Sequence, residues 1–152
     1  MTDSTANPAG PREVLARYQR ASIDKALDDM VDLYAEDALH EFPFSRPGIP
    51  SRMRGRGEIR AFLEATWKDG PLRYESYDDV VIRETTDPGV IVVEQYAVGT
   101  SSATGRGFAL PNIVVMTVRD GRIVHYRDYV NILAASEALG MPLDGPRASR
   151  EV

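Results

Sequence analysis

Apolar residues recur at helical spacing over the first third of the chain and at alternate positions over most of the remainder. Val14, Leu15, Tyr18 and then Ser22 with Ile23 stripe one side of a first helix, and Pro11 suits its first turn. A short second helix carries Leu27, Met30, Val31 and Tyr34, and Glu36 and Asp37 punctuate its end. Residues 38–44 read as a short strand stopped by Pro43, followed by a loop of Pro, Gly and Arg. A third helix runs over about 57–67, with Ile59, Phe62, Leu63 and Thr66 on one side, Trp67 beside them and Gly70-Pro71 as the stop.

From Leu72 the chain changes to runs of Val, Ile, Thr and Tyr. Residues 72–84 alternate Leu72, Tyr74, Ser76 and Asp78 against Arg73, Glu75 and Tyr77, and end at the turn Thr86-Asp87-Pro88-Gly89. Residues 90–100 and 107–119 continue as strands, and Asp120-Gly121 makes a hairpin, since both residues accept the positive φ of a tight turn. The strand after Arg122 holds His125, Tyr126, Arg127 and Asp128 where a simple core strand prefers Val and Ile, and such groups need solvent or partners. Past Asn131, a closing helix uses Ile132, Leu133, Ala135, Ala138 and Leu139, with Gly140 and Pro142 as its stop.

Helices first and a long antiparallel meander afterwards make an α+β layer fold. A sheet this long curls, so the expected form is a curved antiparallel sheet wrapped around three N-terminal helices, with a short C-terminal helix and a conical cavity for a small molecule. One domain over residues 11–141 accounts for the chain, with residues 1–10 and 142–152 as loose tails.

Composition narrows the function classes. A net charge of −5 disfavours nucleic acid, whose phosphates call for clustered Lys and Arg. Without cysteine, disulfide and thiolate chemistry are excluded. The apolar runs are too short for a bilayer and no leader-like segment is present, so a cytoplasmic protein is expected. The two histidines, His40 and His125, lie too far apart in sequence for metal-ligand spacing, and no metal or other cofactor is expected. Arg46, Arg52, Arg54, Arg56 and Arg60 form one basic cluster, either a solvated loop or an attractor for an anionic substrate.

Asp128 is the leading candidate for chemistry. Facing the cavity, it would lose hydration, and its pKa would climb from about 4 towards working pH, which suits a proton shuttle. Ideal alternation then brings Tyr126 and Val124 inward and sends Arg127 and His125 to the other face, unless a bulge intervenes. The plain alternative is a surface pair with Arg127 or Arg122. His40 beside Glu41 forms either a proton relay or a packed histidine. Tyr18, Phe42, Phe44, Phe62, Trp67, Tyr96 and Met116 supply either core or an apolar lining, and Asn112 is a lone amide in an apolar run that needs partners.

The segment 33–44, the segment Gly55–Leu63 and the final strand and helix together resemble the nuclear-transport-factor-2-like superfamily, in particular its SnoaL-like and ketosteroid-isomerase-like enzymes. The resemblance implies a cone-shaped, cystatin-like roll, cofactor-free chemistry on a small molecule and a homodimer through the convex face of the sheet. The steroid-isomerase base position holds Phe42, and Glu41 beside it faces away by alternation; the cyclase acid/base position, nine residues before Gly140, holds Asn131. The run Arg127-Asp128-Tyr129-Val130-Asn131, the helix ending Leu139-Gly140 and the turn at 84–88 are most similar to phenazine-biosynthesis A/B-type proteins, whose glutamate acid/base is replaced here by Asp128. By this comparison Asp128, His40 and Glu41 are the catalytic candidates, and Tyr18, Phe42, Trp67, Tyr96, Asn112, Tyr126 and Asn131 are substrate-binding candidates. The implied function is isomerisation or cyclisation of a cyclic or polyketide-type molecule in secondary metabolism. Its rivals are a non-catalytic binding or assembly module of the same fold and an epoxide hydrolase with Asp78 as a second carboxylate.

Overall fold

A computed structural model describes residues 7–141, so the expected C-terminal tail at 142–152 and most of the N-terminal one lie outside the described residues. Helix α1 (Pro11–Asp24) opens with its proline in the first turn and ends at Lys25, whose φ of 52° reverses the chain. It buries Val14, Leu15, Ala21 and Ser22. Helix α2 (Leu27–Asp32) is a single short piece, and strand β1 (Tyr34–Glu41) follows at once. Tyr34, placed by spacing on the second helix, is therefore the first residue of a strand. The sheet claims it: the Ile123 amide donates to the Leu33 carbonyl at 2.7 Å, and Tyr34 pairs with Ile123.

Strand β2 (Arg52–Arg54) is too short and too arginine-rich to be read from pattern, yet it alternates correctly, with Met53 buried between two exposed arginines. Helix α3 (Gly55–Leu63) starts at Gly55, where φ is +87°, two residues earlier than its apolar stripe indicates. It continues into a π-helical turn (Glu64–Lys68). There the Thr66 hydroxyl donates to the Phe62 carbonyl at 2.7 Å, and Lys25 Nζ reaches the Trp67 carbonyl at 2.9 Å.

Strands β3 (Leu72–Glu84), β4 (Val90–Ser101), β5 (Arg106–Arg119) and β6 (Arg122–Val130) form the expected meander, and α4 (Ile132–Ala138) closes the chain. The six-stranded sheet has the order β2-β1-β6-β5-β4-β3. The long strands pair antiparallel, as the meander requires, and β1 joins the sheet parallel to β6. The chain between these two strands is long enough for the crossover that parallel pairing requires.

Three irregularities set which side chains face inward. Tyr74 pairs with Gly99 and Ser76 with Val98, so Glu75 is an extra residue, and Tyr77 joins Tyr74 on the concave side. A Cβ on Gly99 would sit 1.9 Å from the Arg73 carbonyl oxygen, so only glycine lets the bent β3 approach here. Beyond this bulge Asp78 is exposed, contrary to the parity of an unbroken strand. A second irregularity follows between Asp78 and Val81, with Asp79 at a φ of 51°. On β6, Val118 pairs with Ile123 and Thr117 with His125, leaving Val124 as the extra residue. Ile123, fully buried, takes the inward place that alternation assigned to Val124, while Tyr126 and Asp128 keep theirs. Beneath the concave face, Val14, Met30, Ile59, Val93, Val114 and Met116 are sealed in the core, so Met116 packs there and does not line a cavity.

Candidate active site

The sheet, α1, α3, α4 and the loop after β1 enclose a cavity of about 270 Å³ with mostly apolar walls. Asp128 stands on its β6 wall, and among the described residues the only other formally charged side chain of the lining is Arg46. Asp128 is half-buried and crowded by protein. That burial pushes its carboxyl up to about 6 from an ordinary 3.8, against the opposing pull of a hydrogen bond from Asn112. Asn112 Nδ2 donates to Asp128 Oδ1 at 2.9 Å, because Val114 pairs with Asp128 and Asn112 with Val130 across the two strands. The amide oxygen of Asn112 is buried without a partner among the described residues.

A stack of rings lies near this carboxylate. Tyr18 on α1 lies over Tyr126 at 4.9 Å between centroids and 18° between planes, and Tyr126 lies over His40 at 4.8 Å and 21°. Burial pushes the Tyr18 hydroxyl up to about 12, and it raises Tyr34, Tyr74, Tyr77 and Tyr126 as well. These phenols stay protonated at neutral pH and serve as hydrogen-bonding groups, not bases. Tyr77 donates to Ser22 Oγ at 2.8 Å, and Gln19 Nε2 to Gln95 Oε1 at 2.8 Å.

His40 is 2 % exposed, and burial drives its pKa down to about 3, so the ring is neutral. Its Nδ1 lies 2.9 Å from the Tyr34 hydroxyl, and its Nε2 has no partner among the described residues. The pairing with Glu41 that a proton relay needs does not form: strand alternation places Glu41 on the opposite face, where its Oε1 meets His125 Nε2 at 2.6 Å. Arg127 at 3.4 Å and Arg52 at 3.7 Å join that outer cluster, and the hydrogen bond from His125 leads in holding Glu41 below its usual range.

Of the substrate-binding candidates, Tyr18, Phe42, Trp67, Asn112 and Tyr126 line the cavity with Asp128 and His40. Trp67 Nε1, which can only donate, is buried without a partner among the described residues. Two candidates lie elsewhere. Tyr96 is 42 % exposed, because the inward positions of β4 fall to Gln95 and Ala97. Asn131 caps α4, its Oδ1 accepting the Ala134 amide at 3.0 Å, a local bond that takes the side chain out of the lining. Asp78 is likewise outside, so among the described residues no second aspartate joins Asp128, as the epoxide-hydrolase arrangement needs. Tyr74 and Tyr77 do line the cavity, and the sequence trace of the bulge that turns Tyr77 inward is Gly99 opposite it. Among the described residues no cluster of three or more His, Asp or Glu side chains has metal-holding geometry, and no helix is long and apolar enough to cross a membrane.

Comparison with known proteins agrees with this architecture. Residues 15–126 match the family model of the SnoaL-like domain. An uncharacterised PhzA/B-like protein of Pseudomonas aeruginosa is 35% identical over 129 residues, covering 85% of this chain and 89% of its own. The crystal structure of a Bacillus subtilis protein provisionally described as an isomerase superposes with a TM-score of 0.79 at 29% identity, over 85% of this chain and 91% of that one. A Mycobacterium Δ5-3-ketosteroid isomerase shares the fold, with a TM-score of 0.67 at 19% identity over 81% of this chain and 94% of its own. With its curved sheet, its enclosing helices and a family match over most of its length, the chain belongs to the SnoaL-like domain family of the NTF2-like fold.

Proposed function

We propose that the protein is a small cofactor-independent enzyme that moves a proton on a cyclic or polyketide-type molecule, in an isomerisation or cyclisation of secondary metabolism. The observation that carries this reading is Asp128: a carboxylate on an apolar cavity wall, hydrogen-bonded by Asn112, with its pKa lifted by burial to about 6. At pH 7 such a group is about nine-tenths ionised, so it accepts a proton readily and returns it without a large penalty.

In the proposed cycle Asp128 removes a proton next to a substrate carbonyl, and Asn112 holds the carboxylate in place. We assign the Tyr34 hydroxyl as the donor to His40 Nδ1, which puts the proton of the neutral ring on Nε2; a small shift of the ring into the cavity then lets it donate to the carbonyl oxygen as negative charge develops there. Asp128 then delivers the proton to a different carbon; in a cyclisation the enolate carbon instead attacks a second carbonyl carbon, its C=O π bond opens to an alkoxide, and that oxygen takes the proton back from Asp128. The aromatic walls keep water from quenching the enolate. The isomerase among the structural neighbours is in keeping with this chemistry. We further infer a homodimer through the convex face of the sheet, where Val81, Tyr96 and Ile113 are exposed.

The test is exchange of acidic C–H protons for deuterium in a panel of cyclic ketones, followed by proton NMR. The wild type is expected to accelerate exchange and Asp128→Asn to lose that acceleration by about 10²–10⁴-fold. Exchange that continues unchanged in Asp128→Asn would remove the proposal. A non-catalytic ligand-binding role is the second reading, favoured by Trp67 Nε1 and Asn112 Oδ1, which have no partner among the described residues. It predicts unchanged ligand binding and no exchange in either protein.

A further inference from the structure

Of the 18 basic residues in the chain only Lys25 and Lys68 are lysines, and the fold brings these two together. Lys25 ends α1, and its Nζ donates to the Trp67 carbonyl at 2.9 Å, the Gly70 carbonyl at 3.3 Å and the Lys68 carbonyl at 3.4 Å, all at the close of the π-helical turn. Lys68 returns the bond, its Nζ donating to the Lys25 carbonyl at 2.9 Å. Each lysine thus caps the end of the other's helix, where carbonyls lack partners along the chain and positive charge is favoured. Lysine suits this place by its geometry. An ammonium sends three N–H bonds from one atom and can serve three converging carbonyls, whereas the flat fork of a guanidinium matches a carboxylate. Burial, followed by the nearby Arg73 and Lys68, lowers the Lys25 pKa, as expected of an amine that has exchanged water for carbonyls.

The clasp acts on one stretch of the cavity wall. The turn closes with the Asp69 amide on the Glu64 carbonyl at 3.1 Å, a span one residue wider than in an α-helix, and such turns are uncommon away from functional sites. Trp67, whose carbonyl takes the shortest Lys25 bond, lines the cavity beside Phe62, and the rings of Phe62 and Phe42 lie 5.4 Å apart. This wall is therefore a set of flat faces, on which an aromatic ring gains stacking energy beyond its buried area and a puckered ring does not. Neither lysine lines the cavity, so both reach it through the backbone of the turn.

We propose that Lys25 and Lys68 are positioning residues whose reciprocal clasp fixes Trp67 in the cavity wall, and that the wall so formed selects flat, fused-ring substrates containing an aromatic ring over puckered, saturated ones. The proposal rests on the cavity being the substrate site. It gives the Trp67 side of the cavity the task of holding the ring, and leaves proton transfer to Asp128.

Trp67 is the single tryptophan, so the tryptophan fluorescence of the full chain reports its placement alone. In Lys25→Met the emission is expected to move to longer wavelength and acrylamide quenching to rise about twofold or more, because the turn is released from α1. Calorimetry then compares indanone with its fully saturated analogue. The wild type is expected to bind the flat ketone about fivefold or more tightly, and both Lys25→Met and Trp67→Leu should lose that preference. Lys25→Arg should recover only part of it, since the charge returns without the three-way cap. Lys68→Met removes one bond and leaves the three that Lys25 makes, so it serves as the milder variant should Lys25→Met fail to fold, and it should lose part of the preference. Unchanged Trp67 emission and quenching in the lysine variants would overturn the proposal. So would a ring preference that survives Lys25→Met or Trp67→Leu, one that survives Lys68→Met where Lys25→Met does not fold, or no preference in the wild type up to about 10 mM ketone. A Lys25-dependent ring preference without deuterium exchange in the wild type would instead leave the clasp supported and sink only the proton-transfer reading.

Discussion

Replacing Asp128 by asparagine is expected to make the protein more stable at neutral pH, and the size of the gain follows from where the carboxylate sits. Burial raises its pKa from 3.8 unfolded to about 6 folded, so the folded protein binds the proton more tightly and the ionised form is the one that burial penalises. About two pKa units correspond to roughly 3 kcal/mol, an instability fully present above pH 6 and relieved as pH falls through 6 towards 4. Asparagine is nearly isosteric, carries no charge and still accepts the bond from Asn112 Nδ2. Asp128→Asn should therefore be more stable than the wild type by about 2–3 kcal/mol at pH 8, a rise in Tm of roughly 4–12 °C. The gap should shrink to about half a kcal/mol at pH 4, where the aspartate is protonated in the folded state and nearly half so in the unfolded chain. Urea unfolding of both proteins at pH 8, 6 and 4 measures it. A variant less stable than the wild type at pH 8, or a difference independent of pH, would refute the reasoning.

Other substitutions separate placement from chemistry. Asn112→Leu removes the one bond that favours ionised Asp128, so the midpoint of the deuterium-exchange pH profile should move above 6; an unchanged midpoint would mean that the bond does not tune the carboxylate. Asn131→Ala should cost about 1 kcal/mol through the lost cap of α4, measured by urea unfolding, with exchange rates within about twofold of wild type. Gly99→Ala forces a Cβ against the Arg73 carbonyl and should destabilise by about 2 kcal/mol or more, shifting the melting curve accordingly. His40→Phe keeps the stacked ring but removes the neutral donor, and should slow exchange by about 10²-fold with little loss of ligand affinity; a loss of affinity alone would make His40 a binding residue only.

Elements with strong periodicity were legible in the sequence, and the departures have physical causes. The stripe of α1, the Asp120-Gly121 turn and the long strands are local patterns, and each forms where its spacing places it. Tyr34 followed helical spacing from Met30 and Val31, but pairing with Ile123, nearly ninety residues away, outweighed two more residues of a short helix. The bulges at Glu75 and Val124 were invisible for the same reason, since a bulge is a property of two strands in register. They decided Tyr77 over Asp78 and Ile123 over Val124.

The site was legible where parity survived. Tyr126 and Asp128 lie beyond the β6 bulge and keep the alternation that pointed them inward, and Asn112, the odd amide of an apolar run, proved to be the partner of Asp128. Asn131 had the right spacing for a pocket residue, but a helix that begins one residue later needs a cap, and that local demand took the side chain. Glu41 was drawn outward by alternation to His125 and two arginines. Arg46 could be marked as one of five basic residues, but only the fold singles it out from the other four.

The account turns on a cavity carboxylate poised near neutral pH, and the direct measurement is the titration of the Asp128 side-chain carbon by ¹³C NMR, assigned by its disappearance in Asp128→Asn. A midpoint near 6, shifting further up in Asn112→Leu, is the predicted result. A midpoint near the ordinary 3.8 would contradict it, for Asp128 would then be a hydrated carboxylate with no advantage as a proton carrier.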